Sequence, residues 1–536
     1  MKKATYLLGL MALFCFVSGC RNAAGGKEMA VSHTPVNTAH LKNTSHTLTD
    51  DVISTLSIDA KAFYTQRDNS TVWINKENRQ QLIDYISNVA NDGLQPEDYH
   101  YTYLKDFEAL KSITEEECIR YDVMLTEAFL SLSTHLFKGK LTPNDVYSGW
   151  ALNEKPFDAE KLLTQALEQD KITDALQRCR PRHAVYQSLC NSLTVLNALP
   201  DDKDLPKVIL KKKIRKGDSS ETVGTIQQRL LYWGDLKTDS ISHTYDTQTI
   251  AAVKHFQARH GLRVTGKIND KTTASLNVSR AKRIEQVVAN LERWRWYAYD
   301  LGEKALLINI PDFKMAVVEN GKDTVQTYNV VVGKPERKTP VLQSAVNAVI
   351  LNPTWTVPPT IIKEDLTPAA TKNRTYFANH NMKIYRDTNE VSAEDWVPAK
   401  YNNYRYVQAP GYNNSLGLVK FNFNSKYSVY LHDTNHRDLF GLHNRALSSG
   451  CVRVENPLKL AEYVLANQNK DWNRTKIDSI TAGGETTNVY IKKSIRVHQL
   501  YWTAWMDKNG LQFRDDIYSL DKTCLLYTSD AADEGL

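Results

Sequence analysis

The sequence predicts a multidomain α+β protein, and three observations carry that prediction. Its 536 residues suffice for three or four domains at roughly 100–200 residues each. The hydrophobic period is helical up to about residue 296 and becomes two beyond it. A basic linker, Lys211, Lys212, Lys213, Arg215 and Lys216, divides the helical part in two. A mean hydropathy of -0.46, with 42% hydrophobic and 24% charged residues, excludes a polytopic membrane protein. The 67 basic residues against 61 acidic ones leave +6, too mild over this length to argue for nucleic acid. Seven cysteines with no Cys-x-x-Cys make neither a disulfide scaffold nor a zinc pattern, so no metal is expected.

Met1 is followed by Lys2, Lys3 and an apolar run over 6–17. That run is short of the ~20 residues a membrane-spanning helix needs, so 1–19 reads as a secretory signal peptide. It ends in Val17-Ser18-Gly19-Cys20, which resembles the bacterial lipobox, whose cysteine becomes the lipidated first residue of the mature chain. Cys20 is thus the expected lipidation site, anchoring a soluble protein without spanning the membrane. Arg21 after it favours the outer membrane of a Gram-negative bacterium by the same resemblance. Residues 20–47, rich in Ser, Thr, Asn and Ala, form a flexible tether.

Residues 48–210 read as an all-helical scaffold. Leu82, Ile83, Ile86 and Val89 fall at helical spacing, as do Leu125, Ala128, Phe129 and Leu132, with loops at 92–96 and 139–143. Cys118, Cys179 and Cys190 leave room there for one disulfide of open connectivity. In the unit 214–277, Val223, Ile226 and Leu230 share one helical face. Asp246 is placed to cap a second helix carrying Ile250, Val253 and Phe256, and Asp270 a third. With Gly217, Gln227, Thr249, Gln257, Gly261-Leu262, Gly266 and Thr273, this unit resembles the three-helix peptidoglycan-binding domain, which implies that it binds wall glycopeptide.

A connecting helix over 281–300 carries the stripe Ile284, Val287, Val288 and Leu291. From 301 to 500 strands are expected at 307–318, 328–332, 346–351, 418–423 and 427–432. The stretch 361–410, polar with scattered aromatics, reads as a lid inserted in this β-rich domain. A C-terminal segment occupies 501–523. Beyond it, CLLYTSDAADE resembles the conceptual translation of a sequencing adapter, so 524–536 is expected to be a library artefact.

Cys451 has no cysteine partner within its own domain, which suits a thiol nucleophile better than a structural cysteine in an oxidising compartment. In a strand over 427–432, Ser428, Tyr430 and His432 share one face. In Cys451-Val452-Arg453-Val454 the valines take the core face, so Cys451 and Arg453 take the other. Pairing the two strands would set His432 beside Cys451. The chemistry asks for that, because a thiol with a pKa near 8.5 is only a few per cent thiolate at neutral pH and needs a base. Ser449 and Gly450, in the turn before Cys451, could offer backbone N–H groups to an oxyanion. Arg453 could hold a substrate carboxylate, an internal ion pair being the alternative. Tyr430 and Trp355 are the expected pocket lining, and Asn456-Pro457 the cap and first turn of a helix.

His432-Asp433-Thr434, Leu439-Phe440, Arg445, Ser448-Ser449-Gly450-Cys451-Val452-Arg453-Val454 and Asn456 resemble the signature of the L,D-transpeptidase (YkuD-type) catalytic domain. Arg293-Trp294-Arg295-Trp296, Val331-Val332-Gly333-Lys334 with Thr339-Pro340, and Leu351-Asn352-Pro353-Thr354-Trp355 extend the likeness to the large-scaffold Gram-negative branch. Ser449 stands where many members have His, and Asp433 where many have Gly. The resemblance implies a periplasmic enzyme whose Cys451 and His432 join donor and acceptor tetrapeptide stems of peptidoglycan into 3-3 cross-links, with no cofactor. Its partners would be those stems and, through the anchor, a membrane; wall synthases working beside it are not legible. Two readings stay open beside it: an L,D-carboxypeptidase or hydrolase of the same fold, and a non-catalytic wall-anchoring lipoprotein.

Overall fold

The computed structural model describes residues 41–530 apart from 148, 153–154 and 298–299. The signal peptide, Cys20 and most of the tether lie outside the described residues, as do 531–536. Among the described residues no helix is long and apolar enough to cross a membrane.

The N-terminal region is helical, as expected. The longest helix, Glu115–Lys138, begins with a capping box in which Thr114 and Glu117 each satisfy the other's backbone N–H. Its buried face packs with Phe63, Tyr64, Trp73, Leu82 and Leu163 into one core. No disulfide joins Cys118, Cys179 and Cys190. The helix Ala184–Ala198 places Tyr186, Leu189 and Leu193 in the core of the β domain.

The unit after the basic linker has helices Glu221–Tyr232, Thr247–Arg259 and Asp270–Leu276 around Val223, Leu230, Val253 and Phe256. Asp246 caps the second helix through the Thr249 N–H; the third is capped by Asn269, one residue before the expected Asp270. Gln257 donates to the Lys267 carbonyl and accepts from the N–H groups of Thr265 and Gly266, which gives this buried amide a structural reason for its place.

The connecting helix runs Arg280–Trp296, and its Arg-Trp-Arg-Trp end is a junction. Arg293 pairs with Asp521 at 2.6 Å and Arg295 with Glu292 at 2.6 Å; Trp294 stacks on Trp502 and Trp296 meets Trp150 edge-on. Glu292 also accepts from the Leu141 N–H, tying the scaffold to the same helix.

Beyond it the β domain is an 11-stranded sheet. Its path runs Val341–Leu351, Val419–Phe423, Leu431–His432, Val452–Val454, Asp323–Gly333, Lys314–Glu319, Lys304–Asn309 and Arg496–Leu500. Arg496–Leu500 pairs back onto Val341–Leu351, which closes the path on itself around Leu306, Val317, Val330, Val349, Phe421 and Val452. The expected strand 307–318 is a hairpin, Lys304–Asn309 and Lys314–Glu319, reversing near Phe313 at φ 54°. The expected strand 427–432 is cut to Leu431–His432, because Ser428 sits at φ 51°. Missed in the sequence are Trp150–Ala151 of the scaffold, which pairs with Val341–Leu342, and Thr487–Tyr490 and Arg496–Leu500, which both pair with Val341–Leu351. Residues inserted between Asn352 and Leu418 carry a separate four-stranded sheet, Trp355–Thr356, Arg405–Gln408, Met382–Arg386 and Asn389–Val391. This insertion has its own core of Ile362, Leu366, Phe377, Ile384, Trp396 and Tyr406.

Candidate active site

Leu431–His432 and Val452–Val454 lie side by side and parallel, with His432 opposite Arg453. Val419–Phe423 lies on the other flank, with Lys420 opposite His432. Register partners point to the same side of a sheet, so one face carries the row Lys420, His432, Arg453. Leu431, Val452 and Phe421 fill the core on the opposite face. The expected pairing of His432 with Cys451 is shifted by two residues, because the register sets Arg453 opposite His432; Cys451 and Tyr430 lie just before the two strands, where the Val452 N–H donates to the Tyr430 carbonyl at 3.1 Å.

Cys451 is half-buried, and burial pushes its thiol up from the ordinary range. Against burial act a backbone group of Tyr430, the Tyr430 hydroxyl on the sulfur, and then Lys420 and Arg453. Trp355 in turn acts on the Tyr430 phenol and lowers it, so both expected lining residues bear on the thiol's surroundings. Burial, followed by the Cys451 charge, raises the Tyr430 phenol, which keeps it a proton donor to the sulfur.

His432 is 5% exposed. Desolvation lowers its pKa to about 3, Arg453 and Lys420 add to the shift, and a backbone group of Asp433 opposes it. At neutral pH the imidazole is therefore uncharged and able to accept a proton. Its Nδ1 has no hydrogen-bond partner among the described residues, and its ring meets Tyr430 edge-on at 5.6 Å. Burial also lowers Lys420 and Arg453, and the charge that pulls each back up is Cys451. No carboxylate pairs with Lys420 or Arg453 among the described residues, which removes the internal ion pair as a reading of Arg453. Lys420 was missed in the sequence, although alternation in Val419-Lys420-Phe421 puts it on the His432 face.

The departure at Asp433 has a structural answer. Its carboxylate accepts from the Leu418 N–H at 2.8 Å and pairs with Arg437 at 2.6 Å. Gly417, at φ +56°, has no room for a Cβ, which would stand 2.1 Å from that carboxylate. Asp433 thus holds the loop leading out of the insertion.

The turn before Cys451 is pinned from below. Ser448 Oγ donates to the Cys451 carbonyl at 2.6 Å and accepts from the Gly450 N–H at 3.2 Å. The Gly450 amide is thereby engaged, whereas the Cys451 amide makes no hydrogen bond among the described residues. Gly450 is at φ +113°, a conformation side chains resist. Thr339 Oγ1 donates to the Gly450 carbonyl at 2.8 Å and accepts from the Gly333 N–H at 2.8 Å, joining two stretches quoted from the sequence. Tyr518 braces both, donating to the Gly333 carbonyl and accepting from the Thr339 N–H.

Ser449 is exposed, and its hydroxyl accepts from Arg337 at 2.7 Å. The same guanidinium pairs with Glu364 and Asp365 of the insertion. Asn456 gives no side-chain cap; it sits at φ 50° and reverses the chain, and Pro457 opens the helix Pro457–Ala466.

Comparison with known proteins finds three family models along the chain. A scaffold-domain model matches residues 59–193, a model described as "Putative peptidoglycan binding domain" matches 219–276, and the L,D-transpeptidase catalytic domain model matches 303–491. The chain thus carries a catalytic domain of the L,D-transpeptidase class behind a scaffold and a peptidoglycan-binding domain. A Haemophilus influenzae protein named "Putative L,D-transpeptidase" is 36% identical over 222 residues, which are 40% of this chain and 44% of that protein. The chain therefore spans under half the length of this curated relative. Among solved structures, the L,D-transpeptidase from Xylanimonas cellulosilytica shares 15% identity over 55% of this chain and 99% of its own, with a TM-score of 0.18. That from Stackebrandtia nassauensis shares 12% over 55% and 96%, with a TM-score of 0.21. Overlays this loose carry no argument.

Proposed function

We propose that the chain is a peptidoglycan L,D-transpeptidase that forms 3-3 cross-links between meso-diaminopimelate residues through an acyl-enzyme on Cys451. The observation that supports this reading best is the row that sets an uncharged His432 between Lys420 and Arg453, with Cys451 two residues before Arg453 on the same face. His432 takes the thiol proton as Cys451 attacks the carbonyl that joins diaminopimelate to the terminal D-alanine. The C–S bond forms, the C–N bond breaks, and the proton leaves on the amine of D-alanine. In the second half the diaminopimelate amine of an acceptor stem attacks the thioester, its proton passes to His432, and the thiol is restored. The negative oxygen formed in each half would take the Cys451 amide rather than that of Gly450. Arg453 holds a substrate carboxylate.

The insertion over 361–410 acts as a lid that keeps water from the thioester, and the unit 214–277 holds the enzyme to wall glycopeptide. The signal-peptide reading of 1–19, the lipidation site expected at Cys20 and Arg21 after it support a periplasmic enzyme on a lipid anchor at the outer membrane. Incubating the protein with disaccharide tetrapeptide and weighing the products tests this. A 3-3 dimer that disappears with Cys451→Ala is expected. Tripeptide alone would make it an L,D-carboxypeptidase, and unchanged substrate would leave a wall-anchoring lipoprotein.

A further inference from the structure

Lys420 is a cation in the cleft with no partner of opposite charge among the described residues. Its strand is central, between Val341–Leu351 and Leu431–His432. Its ammonium lies 4.0 Å from the centre of the Tyr430 ring, the same ring whose hydroxyl is on the Cys451 sulfur. Arg453 flanks His432 from the other side. A half-buried ammonium without a counter-ion is costly unless something negative visits it. In the resting protein the thiolate is the one candidate nearby, and Cys451 is then largely protonated because burial raises its pKa.

The proposed reaction brings an anion to this place twice. The leaving D-alanine carries its carboxylate on the carbon bonded to the departing nitrogen, three bonds from the scissile carbonyl carbon. Ordinary bond lengths keep that carboxylate carbon within roughly 4 Å of the reacting carbon. The incoming diaminopimelate amine likewise stands on a carbon bearing a carboxylate. Both half-reactions thus present the same unit, a reacting nitrogen with a carboxylate one carbon away.

We propose that Lys420 binds this carboxylate in both halves of the reaction, and so selects an α-amino acid end over water or a simple amine as the group that takes the acyl chain. The inference rests on the acyl-transfer reading above. No further reactant is required: Lys420 gives no proton up and forms no bond, while the C–S and C–N exchanges proceed as described.

The test uses the full chain, the free tetrapeptide donor, and either D-methionine or D-methionine amide as acceptor, compared at equal concentrations of unprotonated amine. The wild type should favour the carboxylate acceptor by roughly tenfold to a hundredfold, the range for losing one charge-assisted hydrogen bond. In Lys420→Met that preference should collapse towards one, with more acyl-enzyme lost to water, and Lys420→Arg should restore most of it. A merely structural lysine would lower both acceptors alike and leave their ratio intact, which overturns the proposal. So does a wild type that uses both acceptors equally, a result that needs no folded variant. Intact-protein mass separates the two levels of failure. If no adduct forms on Cys451 in the wild type, the acyl-transfer reading itself falls and takes this one with it.

Discussion

Arg337 offers the sharpest test of how the insertion is held over the site. Its guanidinium donates through Nη1 to Ser449 Oγ at 2.7 Å and to Asp365 Oδ2 at 2.6 Å, through Nη2 to Asp365 Oδ1 at 3.2 Å, and through Nε to Glu364 Oε2 at 3.0 Å. One end of this clasp is the residue two before the thiol. The other end is the segment Ile362–Leu366, a π-helical turn between Pro359–Ile361 and Thr367–Lys372. Arg337 is 9% exposed, but Glu364 and Asp365 are 51% and 48% exposed. Each pair is therefore screened and worth at most about 1 kcal/mol. The fork shared by two carboxylates sums to about 1 to 2 kcal/mol, which shifts the ratio of clasped to released insertion by roughly five- to thirtyfold.

Arg337→Ala should raise amide hydrogen exchange across 362–372 by about that factor, and 0.5 M salt should reproduce part of the effect in the wild type. D-alanine release should stay within about threefold of wild type, while the share of acyl-enzyme lost to water rises. Unchanged exchange in 362–372 would refute the clasp, because no other consequence of losing the guanidinium reaches that segment first.

Thr339→Val removes a hydroxyl that bonds both Gly450 and Gly333 in a buried place; a loss of about 1 to 3 kcal/mol in the unfolding of the β domain is expected by calorimetry, with a lower rate of D-alanine release. Gly417→Ala puts a Cβ into the Asp433 carboxylate and should destabilise by about 2 kcal/mol or more, and Asp433→Asn should relieve little of it. His432, at a pKa of about 3 when folded against about 6.5 unfolded, takes up its proton more readily in the unfolded chain. Its contribution is thus intact above about pH 6.5 and drains away as the pH falls towards 3. Between pH 7 and 4 the wild type should lose about 3 kcal/mol more than His432→Gln, read as the shift in denaturant midpoint of each.

The helical and β regions were legible because burial imposes periods of 3.6 and two on the sequence. That His432 and Cys451 would share one face of two neighbouring strands was legible for the same reason, since alternation fixes a face; the register was not, and it sets His432 opposite Arg453 with Cys451 two residues back. What escaped depends on partners that periodicity does not encode. Helix Ala184–Ala198 has an apolar stripe like its neighbours, and nothing in that stripe says it joins the β core. Trp150–Ala151 is too short for any period. Asn456 before Pro457 reads as a cap, but the side chain makes no such bond and its backbone is left-handed. Arg337 lies in a polar turn whose partners are 27 and 112 residues away in sequence. Lys420 was visible as the outward residue of a strand, and a solvated lysine was the natural reading until the register set it against His432.

That register explains an apparent contradiction in the site. A cysteine nucleophile is usually credited to a low thiol pKa, yet here burial raises Cys451 and lowers His432, which favours the neutral thiol and imidazole over a resting thiolate–imidazolium pair. Burial is the main cause that keeps His432 neutral, and the two cations that add to it, Arg453 and Lys420, also favour negative charge on the sulfur. In the proposed reaction, the thiol proton would pass to His432 as the substrate carbonyl meets the thiol, and the charge developing on sulfur and oxygen would meet Lys420, Arg453 and the Tyr430 hydroxyl. A carboxylate arriving at Lys420 or Arg453 would offset the charge that adds to the depression of His432. Substrate binding would thereby raise the basicity of the imidazole at the moment it is needed. The pH dependence of kcat should then place the His432 limb above that of the free enzyme, and Lys420→Met should narrow the gap.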